Sequence, residues 1–195
     1  MKKIIYGLII LITCGSSGIK ENNFSDSDSF KCTLAIEKNK LQMGDLPQLT
    51  VSIINNSGKD VYLIGALDGS EFNMRMPECR FVIQKPKVDT MPGLWLCANT
   101  NPLKEENFVK VYSGETFNPY DDVYAHGFFS SIQLTRKENF RNPGKYKIQF
   151  CYSTKSEGIK EFLGDGEANA AMKKMFDSVP KIELKSNWVE FEIKE

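Results

Sequence analysis

The stretch GDLPQLTVSIINNSGKDVYLIG, residues 44–65, decides the fold prediction for this chain. Every second residue from Leu49 to Ile53 is apolar, the period of a strand with one buried face. The cluster Asn55-Asn56-Ser57-Gly58 is typical of a turn, and a second short apolar run follows at 60–65. Two such runs joined by a turn predict an antiparallel hairpin.

The same kind of pattern recurs along the rest of the chain. Further strands are predicted at 30–37, 79–84, 94–97, 107–112, 128–134, 146–152 and 188–193. In the first of these, alternation places Phe30, Cys32, Leu34 and Ile36 on the inward face. Because few helical patterns separate the strands, we expect antiparallel pairing in two packed sheets.

Two segments resemble exported bacterial immunoglobulin-like domains. The pattern Gly44-x-x-Pro47-x-Leu49-x-Val51-x-Ile53-x-Asn55-x-Ser57-x-x-x-Val61-x-Leu63 is similar to the early hairpin of such domains, including the family of bacterial intracellular proteinase inhibitors. The motif NPGKYKI, residues 142–148, is similar to the start of a late strand, where a tyrosine hydroxyl bonds backbone upstream. The resemblance implies an all-β, immunoglobulin-like antiparallel β-sandwich over 30–195, and it carries no activity with it.

One segment has a helical rather than a β pattern. In GDGEANAAMKKMFDSVP, residues 164–180, one helix face would carry Ala168, Met172, Met175 and Phe176. This predicts a short helix in the connection before the last strand, covering a sheet edge or one end of the core. The alternative is a methionine-rich face for a partner.

The amino terminus predicts an exported and membrane-anchored protein. Residues 1–13 have two lysines and a nine-residue apolar run, the organisation of a signal peptide. Leu11-Ile12-Thr13-Cys14 resembles the lipobox of bacterial lipoproteins, although Thr13 departs from the usual smaller residue. The resemblance implies acylation of Cys14, a flexible tether over 14–29, and a location in the bacterial cell envelope. The lipid would hold the protein on the outer membrane or the periplasmic face.

The other four cysteines are interpreted in that exported setting, where disulfides are permitted. Cys79 and Cys97 bracket a proline-containing loop and form the predicted disulfide. Cys32 and Cys151 are not expected to pair, because strand parity puts Cys32 on an inward face and Cys151 on an outward one. Cys32 is instead expected to be a small buried apolar residue.

Composition and motifs exclude several functions. Lys and Arg number 25, as do Asp and Glu, and no basic run is present, which argues against nucleic-acid binding. A single histidine, His126, leaves no catalytic triad motif and no zinc ligand set. Residues 165–169 echo the start of a calcium-binding loop, but Phe176 stands where its last carboxylate belongs. We expect no catalytic residue, no metal and no cofactor.

The remaining candidate site is an aromatic segment at 117–129. Phe117, Tyr120, Tyr124 and Phe128 are the candidate binding residues, suited to stacking on sugars or filling a partner's pocket. Alternatively, these rings fold back and plug one end of the sandwich. The resulting hypothesis is a non-enzymatic binding or accessory lipoprotein that contacts a protein or glycan through end loops at 113–129 and 155–180. The alternative hypothesis is a protease inhibitor with the same fold.

Overall fold

The computed structural model of this 195-residue protein describes residues 29–65, 76–86, 103–119, 137–164 and 166–195. Their regular secondary structure is mostly β-strand with little helix, so the all-β prediction is confirmed. The strands are β1 (Phe30–Ile36), β2 (Lys40–Gln42), β3 (Leu49–Asn55), β4 (Val61–Ile64), β5 (Glu78–Gln84), β6 (Phe108–Val111), β7 (Thr116–Phe117), β8 (Gly144–Ser153), β9 (Glu183–Lys185) and β10 (Val189–Lys194). The α-helix α1 is Ala170–Phe176, and 3₁₀ turns occupy Glu105–Asn107, Lys137–Phe140 and Ile159–Phe162. The strands predicted at 94–97 and 128–134 lie outside the described residues.

The strands form three sheets. The first has the order β1-β3-β7, and the second has the order β2-β10-β8-β5 with β9 also paired to β8. The third is the two-stranded pair β4-β6. The β1–β3 register pairs Phe30 with Asn55 and Ile36 with Leu49.

One strand pair departs from the antiparallel expectation. β2 runs parallel to β10, with Leu41 opposite Ile193. Only three residues separate β1 from β2, and the chain changes sheet within them: the Glu37 amide still bonds the carbonyl oxygen of Gln48, whereas the carbonyl oxygen of Asn39 accepts from the Glu192 amide. β1 therefore belongs to the first sheet, whereas its continuation β2 belongs to the second. A three-residue strand has too few positions to show a period, so the sequence did not predict it.

The main core lies between the first and second sheets. On β1, Phe30, Cys32 and Leu34 are buried as the alternation predicted. On β8, the buried residues of the main core are every second residue from Tyr146 to Tyr152. Aromatic rings fill much of this space; Tyr146 stacks on Phe191 with ring centroids 5.3 Å apart. Burial of one face of each strand is the main stabilising contribution here.

The late-strand tyrosine makes the predicted backbone hydrogen bond. The Tyr146 hydroxyl donates to the carbonyl oxygen of Asn142 at 2.7 Å, which confirms this prediction. The ring is fully buried, and Phe140 packs 5.7 Å from it. The hydrogen bond therefore gives the buried phenol a partner and holds the turn that precedes β8.

A second core lies under the β4–β6 pair. Its buried members are Ile64, Leu103, Phe108, Phe162, Leu163 and Met172. The predicted helix is present as α1, and Met172, Met175 and Phe176 of its predicted face pack against this core. Ala168 packs there as well but lies before the helix, which begins after its cap at Asn169. The Asn169 side chain caps the helix by accepting a hydrogen bond from the Met172 amide at 2.9 Å. The helix thus supports the β4–β6 pair, as a structural element of the fold.

Candidate functional site

The predicted aromatic site is described at only one of its four residues. Phe117 lies in β7 opposite Ile53, is 3% exposed, and has its ring edge-on to Tyr152 at 6.5 Å. Its ring packs in the main core and is not available at the surface. Tyr120, Tyr124 and Phe128 lie outside the described residues, and their binding role stays a prediction.

The predicted disulfide and lipidation sites are also only partly described. Cys79 is fully buried in β5, whereas Cys97 and Cys14 lie outside the described residues, so both assignments stay predictions.

The two cysteines that were not expected to pair, Cys32 and Cys151, carry free thiols. Cys32 is buried as predicted, but Cys151 is buried too, although strand parity predicted an outward face for it. Burial, assisted by the nearby Cys151, raises the pKa of Cys32 to about 12. Burial also raises the pKa of Cys151, against the opposing effect of Arg80 and Lys185. A raised pKa disfavours the thiolate, so neither group is suited to act as a nucleophile.

The best-defined surface feature is a pair of turns at the end of β3. We call residues 55–60 and 110–115 the turn platform. Asn55, fully buried, joins its two halves: its amide donates to the carbonyl oxygens of Lys59 at 2.8 Å and Val111 at 3.1 Å. Its side-chain oxygen accepts from the Ser57 amide and hydroxyl at 3.0 and 2.7 Å. Both ends of this buried amide are therefore satisfied, which fixes the two turns relative to each other.

The second turn is closed by four hydrogen bonds. The Glu115 amide donates to the Tyr112 carbonyl at 3.0 Å, and the Tyr112 amide donates to the Glu115 carboxylate at 3.0 Å. The backbone of Asn55 bonds Gly114 and Glu115 at 2.7 and 3.0 Å. Gly114 has φ +84°, the left-handed conformation that the third position of a type II turn requires. The turn is thus held in one conformation before any partner arrives.

This rigid turn presents an aromatic side chain to solvent. Tyr112 is 50% exposed, one of three large hydrophobic side chains in the described residues that are exposed. The Lys110 ammonium lies 4.5 Å from the centre of its ring and also pairs with Asp60 at 3.2 Å. The hydrogen bond with Asp60 raises the pKa of Lys110 above its ordinary value. The cation–π contact and the ion pair orient the ring.

The charge of the turn platform is balanced. Lys59 and Lys110 contribute two positive charges, and Asp60 and Glu115 contribute two negative charges. All four are exposed, and the neighbouring Asn56 and Ser113 are exposed as well. The single exposed ring is therefore surrounded by polar groups of both signs, and the platform has no net field that would select a highly charged ligand.

Two other surface depressions have fewer features of a binding site than the turn platform. One has a volume of about 640 Å³ and lies between residues 36–40 and Val189–Glu190, with mostly charged and polar walls. The other, about 460 Å³, lies beside α1 between Lys160 and Lys173. Among the described residues, no group of three or more His, Cys, Asp or Glu side chains is placed to hold a metal ion.

The sequence indicated the turn platform only in part. Asn55-Asn56-Ser57-Gly58 was predicted as a turn, and 113–129 was predicted as a functional end loop, whose first residues belong to the platform. Tyr112 is the last residue of the strand predicted at 107–112, and the sequence does not mark it as a contact residue. It is exposed on the same side of the chain as Lys110, and buried Val111 lies between them. The abrupt Ser113-Gly114 turn was the available signal.

No protein-family model matches the chain, and no curated protein or solved structure matches it significantly. In the described ranges, no helix is long and apolar enough to cross a membrane.

Proposed function

We propose that this all-β domain is an immunoglobulin-like sandwich. Two observations support this assignment. The first strand pairs in one sheet and its continuation joins the last strand of the other sheet in parallel. The Tyr146–Asn142 hydrogen bond also occupies the place of the tyrosine corner of such domains.

We further propose that the domain is a non-enzymatic binding or accessory module that contacts a protein or glycan through one end. A lipid on Cys14 would hold it in the bacterial cell envelope. The observation that carries the binding proposal is the exposed Tyr112 ring on the rigid turn platform. A preorganised aromatic side chain costs little conformational entropy on association. Sandwich domains commonly place their function on such end loops.

The binding proposal is tested with the full chain, immobilised and exposed to solubilised envelope proteins and to a glycan array. We expect capture that falls at least tenfold in Tyr112→Ala. Met43→Ala is the matched control, because Met43 is 52% exposed but lies in the turn between β2 and β3, away from the platform. Capture that Tyr112→Ala and Met43→Ala leave equally strong would contradict the proposal.

The anchor is tested separately. Metabolic labelling with a fatty-acid analogue should mark the wild-type chain and fail to mark Cys14→Ser. Cys97→Ser is the control, because a cysteine outside the lipobox should leave labelling unchanged. Labelling that persists in Cys14→Ser would overturn the lipid assignment.

The second candidate function is protease inhibition. It requires an exposed and rigid loop, and the Tyr112–Glu115 turn has both properties. A panel of secreted serine and cysteine proteases tests it at micromolar concentrations of the full chain. Inhibition should be lost in Tyr112→Ala; if no protease is inhibited, this candidate is eliminated.

A further inference from the structure

We propose that the turn platform is a carbohydrate site, in which the apolar C–H face of a neutral pyranose stacks on Tyr112. The inference rests on the proposed binding function and narrows it to one ligand class. Four properties of the platform carry it: the exposure of the ring, its polar surroundings, the balanced charge and the rigidity of the turns.

The ring is presented in a way that suits stacking. Lys110 covers one side of it at 4.5 Å, and yet the side chain remains 50% exposed. Half of the side chain is accessible to solvent, so a flat ligand can reach the ring. Lys110 also forms an ion pair with Asp60 at 3.2 Å.

The surroundings favour a sugar over a protein. A protein hot spot is typically encircled by further contacts that exclude water, with aromatic residues at its centre. Here Tyr112 is the one exposed large hydrophobic residue of the platform, since the other two in the described residues are Met43 and Trp188. A pyranose has one apolar face and a rim of hydroxyl groups, which matches a single aromatic ring among polar groups.

Hydrogen-bonding groups for those hydroxyls are present. The carboxylates of Asp60 and Glu115 each accept one described hydrogen bond or ion pair, and a carboxylate has about four acceptor positions. Ser113 and Asn56 are exposed beside them and offer both donors and acceptors. A few fixed polar groups next to an apolar contact are what orient a small ligand.

The charge balance selects a neutral sugar. With two cations and two anions, the platform gains nothing from a polyanionic or polycationic chain. Rigidity supports the affinity, because Asn55 and the four bonds of the Tyr112–Glu115 turn fix the groups before binding.

The test uses saturation-transfer NMR on the full chain in a zwitterionic detergent, because glycosidic detergents would themselves present a sugar. The probes are neutral tetrasaccharides of glucose, mannose and N-acetylglucosamine, with a heparin tetrasaccharide as the charged comparator. We expect transfer to at least one neutral probe and at least tenfold stronger binding of it than of heparin. Tyr112→Ala should weaken binding at least tenfold, about 1.4 kcal/mol. Tyr112→Phe should stay within twofold and Tyr112→Trp should bind at least as well, because stacking needs the ring and not the hydroxyl.

The outcomes separate this inference from the proposed function. If no neutral saccharide binds, or if binding survives Tyr112→Ala, the carbohydrate site is overturned. Tyr112-dependent capture of a protein under the same conditions would leave the binding function standing with a different ligand. Loss of both signals in the wild type would overturn both. Unchanged circular dichroism of Tyr112→Ala establishes that the variant is folded.

Discussion

The two cores of this protein are built in different ways. The main core takes every second residue of long strands, such as Tyr146, Ile148, Phe150 and Tyr152 on β8. The second core collects single residues from β4, β6, a 3₁₀ turn and α1, among them Ile64, Phe108, Phe162 and Met172. The main core therefore follows from the alternation of residues along the strands. The second core forms where α1 and a 3₁₀ turn pack against the β4–β6 pair.

One side chain connects the two cores. Tyr152 belongs to the main core and is fully buried, and its hydroxyl bonds both backbone groups of Ile64 in the second core, at 3.2 and 3.3 Å. Burial raises the pKa of this phenol well above its usual range, so it remains a neutral hydroxyl able to donate and accept. This hydroxyl therefore adds a side-chain link between the cores to the one made by β4 itself, which places Leu63 in the main core and Ile64 in the second.

The largest effect should come from emptying either core. Phe150→Ala removes a fully buried ring from the main core and should lower the free energy of unfolding by about 3–5 kcal/mol. Phe162 is equally buried in the second core, so Phe162→Ala should mainly open that core. Hydrogen exchange measures the difference: Phe150→Ala should speed exchange throughout, and Phe162→Ala chiefly around β4, β6 and α1. Equal acceleration everywhere in both variants would show that the cores form one cooperative unit.

Tyr152→Phe should have the next largest effect. It keeps the ring but leaves the Ile64 amide and carbonyl buried without this partner, at a cost of about 1–3 kcal/mol. The exchange rates of β4 amides should rise more than those of β8. Tyr146→Phe is the matched control, because it removes a hydroxyl bonded to Asn142, away from the second core. If both variants speed β4 exchange equally, Tyr152 does not couple the cores.

Alkaline pH should lower the free energy of unfolding through the buried thiol of Cys32. The pKa of Cys32 is raised to about 12 from 9.0, so between these values the unfolded chain releases a proton that the folded protein keeps. This contribution to stability is present below pH 9 and is lost as pH rises, by about 1.4 kcal/mol per pH unit. Denaturant unfolding at pH 8, 9 and 10 measures it. Cys32→Ala should show a shallower decline, and an unchanged slope in that variant would refute the assignment.

The smallest effect should come from the helix cap. Asn169→Ala removes the hydrogen bond to the Met172 amide and a contact with Glu105 at 2.6 Å, and should cost about 1 kcal/mol. Thermal unfolding measures this change. Asn169→Ser is the control for the cap, because the serine hydroxyl keeps the acceptor and does not place a second carboxylate beside Glu105. If the alanine and serine variants lose the same stability, the cap contributes nothing to the second core.

Sequence reasoning succeeded where local patterns carry the information. Alternation located β1, β3 and β8 and their inward faces, and a 3.6-residue period identified the buried face of α1. It failed for short strands. β2 and β9 have three residues each, and their partners are determined by sheet edges rather than by any period. The candidate site shows the same division. The turn at 55–58 was predicted, whereas the exposed Tyr112 of the neighbouring turn was not.

By itself, the sequence determined the all-β class, the main strands and the backbone hydrogen bond of Tyr146, because each depends on residues within a few positions of one another. Only the tertiary structure decided the parallel placement of β2, the second core and the turn platform. These depend on contacts between residues far apart in the chain, such as Asn55 with Val111 and Tyr152 with Ile64, 56 and 88 positions apart. A local pattern records which side of a strand is apolar, but not which distant backbone group a buried amide or hydroxyl will meet.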